Sequence, residues 1–477
     1  MNILFIYSYD LHVTEKPLLT IEEMHFGISY ISSFLKKHEH KTKLLILSEY
    51  SGEQNFKLLE SYINDFIPDL ICFTSIATQY KFLSKIAKYL KEKHPEIFLL
   101  IGGVHASLNA EETIKDDFDA VCLGEGEYSV WELITQLEQK KTPTKIQNLW
   151  IKKTNGIEKN PNRPFIEDLN ILPFPDIDIW IPWLNKTPEK HNGITILLGR
   201  GCPFMCTYCC NHALKKLAQG NYVRFRSAEN IIKEIKEINN KYPNIQNIYL
   251  EVETIGVNIK WAEDFCHELG KFNKSIDNQI SYRVNLRIIP NMDYDNLFDI
   301  FKKANINHLN IGLESGSERV RKEILNRNYS NEDIINAVKI ARKYGLKVTF
   351  YNLMGLPGET EKDFLETIRI NKICQPDHYY LSIFYPYPGT DLHKICNKRA
   401  LLKNINTTRE RVHGILNLPE FPNNRVDHNY IWFDYNIYKD NKPLYKTLQV
   451  ALKRKILVTT FTYNIVKKIA SFMMNFF

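Results

Sequence analysis

The sequence predicts an α/β protein with two parallel-sheet domains, the first doubly wound and the second a partial barrel of six β/α units. Short apolar runs alternate with amphipathic segments in two separate series, which is typical of parallel sheets covered by helices. A proline-rich stretch separates the two series. The 477 residues are 44% hydrophobic and 25% charged, an ordinary globular composition with room for about two to four domains.

The first series covers residues 1–140 and predicts a Rossmann-like domain. Its predicted strands are Ile3–Tyr7, Lys43–Leu47, Leu70–Ser75, Ile97–Gly102 and Ala120–Leu123. Its predicted helices are Phe26–Lys37, Phe56–Phe66, Tyr80–Lys93, Ala110–Lys115 and Glu127–Leu137. Ligands of such folds lie outside the carboxyl ends of the strands. The candidate cleft is therefore formed by the loops Ser8–Leu19, Thr74–Gln79, Gly102–Ser107 and Gly124–Glu127.

Residues 141–190 are rich in Pro, Asn and Trp and show no sustained periodicity. Prolines at six positions would break any long helix. They are Pro161, Pro164, Pro173, Pro175, Pro182 and Pro188. We therefore predict that this region is a linker between the two domains.

The second series covers residues 191–395 and predicts a partial, TIM-like (β/α)6 barrel. Its predicted strands are Ile194–Leu198, Ile248–Val252, Ile280–Leu286, His308–Leu313, Lys347–Met354 and Tyr379–Tyr385. Its predicted helices are Ala228–Asn239, Ile259–Leu269, Tyr294–Ala304, Ser317–Leu325, Asn331–Tyr344 and Glu361–Ile373. Chemistry in such barrels is expected at the carboxyl ends of the strands.

The C-terminal extension, residues 396–477, is less regular and predicts helical and irregular structure. Its last part, Tyr445–Phe477, combines basic residues with Ile, Leu, Phe and Met in an amphipathic pattern. Helix packing on the barrel is the first interpretation, and peripheral contact with a membrane surface is the alternative. Aromatic residues upstream of it indicate either core packing or contact with a large or apolar ligand. They are Trp432, Phe433, Tyr435 and Tyr438.

Charge and cysteine content restrict the partners and the compartment. Sixty-two basic against 55 acidic residues leave a net charge of +7, too weak over this length to indicate nucleic-acid binding. Met1–Ser8 lacks the basic start of an export signal, and no apolar run reaches the about 18 residues of a membrane span. We expect a cytoplasmic protein whose nine cysteines are reduced or bind metal.

A cysteine loop directly after the first barrel strand is the strongest signal in the chain. Cys202, Cys206 and Cys209 follow a CxxxCxxC spacing. Three thiolates on a short loop can hold three irons of a cubane cluster and leave the fourth iron open to a substrate or cofactor. Zinc is an alternative, with Cys210 or His212 as its fourth ligand, and unrelated core cysteines are a third.

This loop resembles that of the radical S-adenosylmethionine (SAM) superfamily. The resemblance implies that Cys202, Cys206 and Cys209 bind a 4Fe–4S cluster and that SAM chelates its open iron through an amine and a carboxylate. It places Tyr208 beside the adenine. It further implies that the cluster cleaves SAM into methionine and a 5′-deoxyadenosyl radical, with electrons from an external donor such as flavodoxin or ferredoxin.

Further segments match the family in order and spacing. An acidic residue after the second strand is expected to bind the SAM amine; Glu253 is the first choice and Glu251 the alternative, because strand alternation puts both on one face. The segment Val284-Asn285-Leu286-Arg287 matches an Asn-Leu-Arg element on the third strand, which implies cofactor contacts for Asn285 and Arg287.

The later strands add three more such segments. In Gly312–Ser317 the resemblance brings Glu314 and Ser315 toward the ribose and carboxylate of SAM. Arg327 is expected to pair with that carboxylate, with an exposed surface position as the alternative. Asn352 and Gly355 belong to the turn Asn352-Leu353-Met354-Gly355-Leu356-Pro357-Gly358 that closes the fifth strand, and Tyr385-Pro386-Tyr387-Pro388-Gly389 closes the sixth.

A doubly wound domain ahead of such a barrel is similar to the cobalamin-binding domain of cobalamin-dependent radical SAM enzymes. The resemblance places cobalamin contacts in three strand-end segments. They are Thr74-Ser75, Gly102-Gly103-Val104-His105 and Gly124-Glu125-Gly126-Glu127. Glycines there allow a flat corrin ring to approach the backbone closely.

Cobalt ligation by histidine is not expected. Asp10-Leu11-His12 stands where some cobalamin domains carry an Asp-x-His-x-x-Gly motif, but Glu15 occupies the position of its glycine. We predict that His12 and His105 are loop histidines. The resemblance then puts Thr74, Ser75 and Val104 beneath the ring.

The sequence thus predicts a cobalamin-dependent radical SAM enzyme with a 4Fe–4S cluster, SAM and cobalamin as cofactors. The leading hypothesis is a methyltransferase acting on an unactivated carbon or phosphorus of a small-molecule or lipid-like substrate. The alternative is a non-methylating oxidoreductase or cyclase with the same cofactors. A third hypothesis is a non-catalytic cobalamin or metal sensor.

Overall fold

The structure is a computed structural model that describes residues 1–8, 24–184, 193–402 and 410–459, together with residues 462 and 465. Two compact units divide the chain. The first contains the described residues up to 184 and the segment Cys210–Arg224, and the second contains residues 193–209 and those from Phe225 to 459. The cysteine loop therefore belongs to the second unit up to Cys209, and the chain directly after it belongs to the first.

The first unit is built on a seven-stranded sheet in the order β2-β1-β3-β4-β5-β6-β7. The strands are β1 (Asn2–Ser8), β2 (Lys41–Leu47), β3 (Leu70–Thr74), β4 (Phe98–Gly102), β5 (Ala120–Cys122), β6 (Leu149–Lys153) and β7 (Gly156–Lys159). Strands β1 to β5 are parallel, and the chain direction across the sheet reverses between β1 and β3. Ligands of such sheets bind at this switch point, outside the carboxyl ends.

Amphipathic helices cover this sheet. They are Phe26–Lys37, Gln54–Phe66, Tyr80–Lys93, Gly103–Leu108, Ala110–Thr113 and Glu127–Glu138. Phe26–Lys37 shows why they form: the His25 imidazole accepts a hydrogen bond from the Ile28 amide at the first turn, and Phe34 and Leu35 are buried. Capping and burial of one face stabilise such a helix.

The region predicted to be a linker, residues 141–190, instead adds an antiparallel hairpin to the sheet. β6 pairs with β5, and β7 pairs with β6. Leu149 and Ile151 are buried on one face of β6, and Gly156 turns the hairpin with a φ of +131°. The prolines lie outside both strands, so they do not interrupt the pairing. Short helical turns follow at Leu169–Ile171, Asp178–Trp180 and Ile181–Leu184.

The second unit contains an open, six-stranded parallel sheet whose strands lie side by side in sequence order. They are β8 (Gly193–Leu197), β9 (Asn247–Glu251), β10 (Ser281–Leu286), β11 (Ile306–Glu314), β12 (Lys347–Met354) and β13 (His378–Ile383). The helices between them are Ala228–Lys241, Ile259–Lys274, Tyr294–Lys303, Asn331–Lys343 and Glu361–Cys374. The two sheets confirm the predicted fold class of a doubly wound domain followed by a partial (β/α)6 barrel.

One predicted barrel helix is shorter than expected. Of Ser317–Leu325, residues 318–324 are helical, and Val320–Ile324 within them form a π-type turn. The buried Arg321 guanidinium donates hydrogen bonds to the backbone carbonyls of Ser315 and Tyr329. These bonds tie the turn to the loops on both sides, and such π-turns are frequent near functional sites.

The C-terminal extension is α-rich, as predicted. It contains the helices Asp391–Lys398, Asn423–Tyr438 and Leu444–Val458. Phe433 and Tyr438 are buried in a core that also includes Phe364 and Phe421, so core packing accounts for these two aromatic residues. In the described part of the chain, no helix has both the length and the hydropathy of a membrane span.

Candidate active site

The three cysteines of the CxxxCxxC loop line one cavity of about 380 Å³ in the second unit. The cavity lies at the carboxyl ends of the strands, because the loop follows β8 and the other lining residues come from β9 to β13. Cys206 is the most buried of the three. Its sulfur lies 2.8 Å from Nη1 of Arg287, whose guanidinium stacks 3.9 Å from the ring centre of Phe204.

The chemistry of this donor set fits an iron–sulfur cluster. Burial raises the pKa of the Cys202 thiol to about 11, so that thiol is protonated at neutral pH unless a metal binds and displaces its proton. Three thiols share the cavity, which matches three irons of a cubane cluster with one iron open. Neither Cys210 nor His212, which the zinc alternative needs, lines it.

A buried network of Tyr208, Glu314 and Arg327 forms one wall. Nη1 of Arg327 lies 2.9 Å from Oε1 of Glu314 and 2.7 Å from the Tyr208 hydroxyl, which itself donates to Glu314 at 2.9 Å. Burial raises the pKa of Tyr208 well above its usual value, so its hydroxyl stays protonated as a donor. Arg327 is only 5% exposed, which excludes the surface position considered for it.

The backbone of β11 aims the Glu314 carboxylate into the cavity. Its register with β12 shifts between Gly312 and Glu314, and Glu314 has a left-handed φ of +58°. A Cβ atom on Gly312 would lie 2.4 Å from Oε1 of Glu314 and 3.1 Å from Nη2 of Arg327. A larger residue at position 312 would displace the Glu314 and Arg327 side chains, and a left-handed backbone such as that of Glu314 is typical of functional sites.

The structure separates the two glutamates that the sequence could not. Glu253 lines the cavity and Glu251 does not. Strand alternation does not extend to both, because β9 ends at Glu251 and Glu253 lies on the loop beyond it. Glu251 remains on the strand, where burial raises the pKa of its carboxyl to about 7.

Asn285, Arg287 and Asn352 also line the cavity. The Asn285 amide donates to the Val252 carbonyl at 3.1 Å and accepts from Asn310 at 3.2 Å. Asn352 is held in the same way, donating to the Tyr380 carbonyl and accepting from Asn371. These side chains are therefore fixed before any ligand binds.

Two of the predicted site residues lie outside this cavity. Ser315 is fully buried, and its hydroxyl accepts a hydrogen bond from the Ser317 amide and lies 3.5 Å from the Thr367 hydroxyl. The adjacent Gly316 packs so closely on the helix Glu361–Cys374 that a Cβ would lie 2.3 Å from the Glu366 carbonyl oxygen. Gly355 forms a turn with a φ of +72°. Neither Ser315 nor Gly355 lines the cavity, and each of them fixes the backbone close to a residue that does.

Several residues line the cavity in addition to those that the sequence predicts. They are Phe204, Tyr249, Thr254, Leu286, Asn310, Gly312, Tyr351, Leu353 and Ser382. Strand alternation could have found Asn310, since it lies two and four residues before Gly312 and Glu314 on the same strand face. Ser382 carries no comparable motif, because it stands between Leu381 and Ile383, and Tyr351 reads as one more aromatic residue beside Phe350.

The carboxyl edge of the first unit brings the loops after β3 and β4 into close contact. Gly103 has a φ of +90°, and a Cβ there would lie 2.7 Å from the Thr74 hydroxyl and 2.8 Å from the Ser75 backbone nitrogen. The Ser75 amide donates to the Gly102 carbonyl, and the Ser75 carbonyl accepts from the His105 amide. At Gly124, which has a φ of +77°, a Cβ would meet no atom within 4 Å.

Several buried polar side chains at this edge have no hydrogen-bond partner. They are the hydroxyls of Ser8, Ser75, Thr78 and Ser129 and both ring nitrogens of His105. The His105 ring stacks on Tyr80 at 4.2 Å, and burial lowers its pKa to about 4. Buried polar groups are normally paired, and a nucleotide-like cofactor rich in amides would supply partners. These residues therefore fit the polar periphery of cobalamin.

The other predicted cobalamin contacts lie along the same edge. Val104 is half-buried in the short helix Gly103–Leu108. The Glu125 carboxylate is already engaged, since it accepts from the Ile166 amide and pairs with the buried Arg224 at 3.0 Å. Gly126 lies against Ile31, and Glu127 is buried at the first turn of its helix. His12 lies outside the described residues.

Comparison with known proteins identifies both units. Residues 196–370 match the family described as the radical SAM superfamily, and residues 22–134 match the B12 binding domain. Together these matches define a class of enzymes that combine radical SAM chemistry with a bound corrinoid. The chain therefore combines a radical SAM domain with a B12-binding domain, and the cofactors of these domains are a 4Fe–4S cluster, SAM and cobalamin.

Two relatives and one solved structure are similar to most of this chain. An uncharacterized methyltransferase of Pyrococcus horikoshii, PH0819, is 26% identical over 84% of this chain and 84% of its own. The anaerobic magnesium-protoporphyrin IX monomethyl ester cyclase of Rubrivivax gelatinosus is 23% identical over 76% of this chain and 65% of its own. The methyltransferase TsrM of Kitasatospora setae, solved with tryptophan and a SAM analogue, shares the fold with a TM-score of 0.65. The two are 15% identical, over 85% of this chain and 77% of TsrM.

Proposed function

We propose that the chain is a methyltransferase that acts on an unactivated carbon or phosphorus of a small-molecule or lipid-like substrate. The observation that carries this proposal is the convergence of three cysteine thiols with Glu253, Glu314 and Arg327 in one cavity, in a chain that also has a B12-binding domain. Relatives support the choice of reaction, because the relative named as a methyltransferase matches 84% of this chain and the cyclase matches 76%.

Cluster-bound SAM supplies hydrogen-atom abstraction, and cobalamin supplies a transferable methyl group. The chain would hold these groups with residues already fixed in place. Cys202, Cys206 and Cys209 would bind the cluster, and Glu253 is free to turn toward a cationic amine. Arg327 offers a positive charge to a carboxylate, while Glu314 and Tyr208 keep that guanidinium oriented.

In the first unit, the residues proposed to hold cobalamin are those at the carboxyl edge of the sheet. Ser75, Thr78 and His105 present polar atoms without partners. The close contact of Gly103 with Thr74 and Ser75 makes a flat backbone surface on which a ring can rest. Gly102, Val104 and the segment 124–127 complete this edge.

A non-methylating reaction is the second candidate, and the similarity to the magnesium-protoporphyrin cyclase favours it. The products distinguish the two. Anaerobically reconstituted protein would be incubated with SAM, a reductant, methylcobalamin and candidate metabolites, followed by mass spectrometry of all products. A methylated product with S-adenosylhomocysteine supports the methyltransferase. A dehydrogenated or cyclised product with 5′-deoxyadenosine alone supports the cyclase.

The proposed partners follow from this chemistry. A low-potential cluster needs a one-electron donor, so we expect a flavodoxin or a ferredoxin to reduce it. Reduced thiols and an oxygen-sensitive cluster favour the cytoplasm as the compartment. Replacing the chemical reductant by reduced flavodoxin should sustain 5′-deoxyadenosine formation, and failure with both natural donors would contradict this partner.

The C-terminal helix is proposed to contact anionic lipid surfaces. Leu444, Leu448 and Leu452 form an exposed apolar stripe along Leu444–Val458, and the exposed Lys446 and Lys453 lie on the same helix. An apolar stripe beside positive charge is typical of helices that lie on anionic membranes. Co-sedimentation with phosphatidylglycerol vesicles should fall after Leu448→Glu. Binding equal to that of phosphatidylcholine vesicles would contradict the proposal.

A further inference from the structure

The inner face of the open sheet in the second unit is not filled by its own side chains. In closed (β/α)8 barrels this face is a packed core. Here Tyr351 on β12 is 39% exposed and Tyr380 on β13 is 51% exposed, although both lie in the middle of their strands. The face therefore has space for a ligand.

Tyr351 and Tyr380 form a flat aromatic surface on this face. They are directly opposite each other in the strand register, and their rings stack with centres 4.9 Å apart and planes inclined by 19°. Tyr351 also lines the cavity that contains the three cysteines. The stacked pair thus continues that cavity across the sheet, toward the edge strand β13.

A hydrogen-bonding group faces the same region from β9. Glu251 lies two residues after Tyr249 on β9 and therefore on the same face of the sheet, and its carboxylate accepts a hydrogen bond from Tyr249. Tyr249 lines the cavity, and the Arg283 guanidinium lies 4.7 Å from its ring centre. A partly buried carboxyl beside exposed aromatic rings is a site for a donor group carried by a planar ligand.

We propose that Tyr249, Glu251, Tyr351 and Tyr380 form the substrate subsite, and that the substrate presents a planar conjugated ring with an N–H or amino donor. The ring extends the tyrosine stack, and the donor binds the Glu251 carboxylate. The subsite is separate from the residues proposed to bind SAM, which follow the strand ends at Glu253, Arg287 and Glu314. This inference rests on the proposed function and names its substrate class.

Indole is a suitable probe because it is planar and carries one N–H donor. Saturation-transfer NMR would measure its binding to the full-length holoenzyme with an oxidised cluster and saturating SAM, so that no turnover occurs. We expect Tyr380→Ala to weaken indole binding by about fivefold, the loss of one stacked ring. Tyr445→Ala, which removes an exposed tyrosine from the C-terminal helix, is the matched control and should change nothing.

The donor is tested without a variant by comparing indole with 1-methylindole, which has no N–H. Wild-type protein should bind indole about threefold to fivefold more tightly, the value of one hydrogen bond. Glu251→Met should remove this preference while leaving the binding of 1-methylindole unchanged. Equal binding of the two probes by wild type would overturn the assignment of Glu251.

Other results would overturn the subsite as a whole. Indole that binds in the absence of SAM but not at saturating SAM would identify the stack as the adenine site. Unchanged indole binding in both Tyr351→Ala and Tyr380→Ala would place the probe elsewhere. The proposed function fails separately, if the reduced holoenzyme forms no 5′-deoxyadenosine from SAM, since the binding experiment requires no SAM cleavage.

Discussion

The two units differ in whether the polar side chains at the carboxyl ends of their strands have hydrogen-bond partners within the protein. In the second unit, Glu314, Arg327 and Tyr208 satisfy one another through short hydrogen bonds. In the first unit, Ser75 and His105 are buried at the sheet edge with polar atoms that bond to nothing. Both edges follow parallel strands, so the difference does not come from the fold class. It indicates that the second site is preorganised, and we expect the first to be completed when its cofactor binds.

The largest expected effect tests the preorganised site. Cys206→Ala should abolish cluster binding, because a cubane held by two thiolates is not retained. Iron should fall from about four per chain to near zero, together with loss of SAM cleavage. Cys210→Ala is the matched control: it lies next to Cys209 but outside the cavity, and should keep full iron content. An iron-free Cys210→Ala would instead make Cys210 a fourth ligand of the cluster and leave no iron open for SAM.

The next effect concerns the buried ion pair. Arg327→Met leaves the Glu314 carboxylate buried without its partner, which should lower the free energy of unfolding by about 3–5 kcal/mol. Chemical denaturation of the cofactor-free protein measures this. Arg319→Met is the control, because Arg319 pairs with Asp363 at a half-exposed position and should cost about 1 kcal/mol or less. Equal losses in both variants would mean that the network is not specially stabilised.

A pH experiment tests the incomplete edge. Burial lowers the pKa of His105 to about 4, below its usual 6.5, so the unfolded chain takes up a proton before the folded one does. Stability should therefore be full above pH 6.5 and fall between pH 6.5 and 4, by on the order of 3 kcal/mol. Burial lowers the pKa of His25 in the same direction.

His105→Phe should remove the His105 share of this pH dependence in the cofactor-free protein. Phenylalanine keeps the ring contact with Tyr80 and removes two unpartnered nitrogens, so the variant should be at least as stable at pH 7. A profile that is the same in His105→Phe and wild type would show that this histidine is already solvated.

The smallest expected effect concerns a single side-chain hydroxyl, that of Ser75. Ser75→Ala removes a buried hydroxyl without a partner, so the cofactor-free protein should gain about 1 kcal/mol or stay unchanged. Thermal unfolding with and without hydroxocobalamin should then show a smaller cofactor-induced shift than in wild type. Destabilisation of the cofactor-free variant by more than about 1 kcal/mol would mean that Ser75 already has a partner.

Much of the fold follows from local sequence patterns. The predicted helices Phe26–Lys37 and Tyr80–Lys93 and the strand Lys347–Met354 have the same bounds in the structure. Their apolar periodicity is strong and their ends carry clear signals. The hairpin of β6 and β7 was missed because its strands are short and its stability comes from pairing with β5, a partner distant in sequence.

The candidate site was predicted where a motif fixes both residue type and spacing. The cysteine loop, Asn285, Arg287 and Glu314 all line the cavity. Ser315 belongs to the same motif as Glu314, yet its hydroxyl bonds within the protein. The sequence alone does not separate these neighbours, because Ser315 is buried against Thr367, which lies 52 residues further along the chain.

The sequence alone determined the class of enzyme, because thiolate spacing and strand-end glycines are local requirements of the cofactors. The tertiary structure alone decided three matters: that Arg327 is buried, that Glu253 rather than Glu251 reaches the cavity, and that Tyr351 stacks on Tyr380. The reason is physical. Burial, charge pairing and ring stacking join strands far apart in sequence, so they exist only once the sheet has formed.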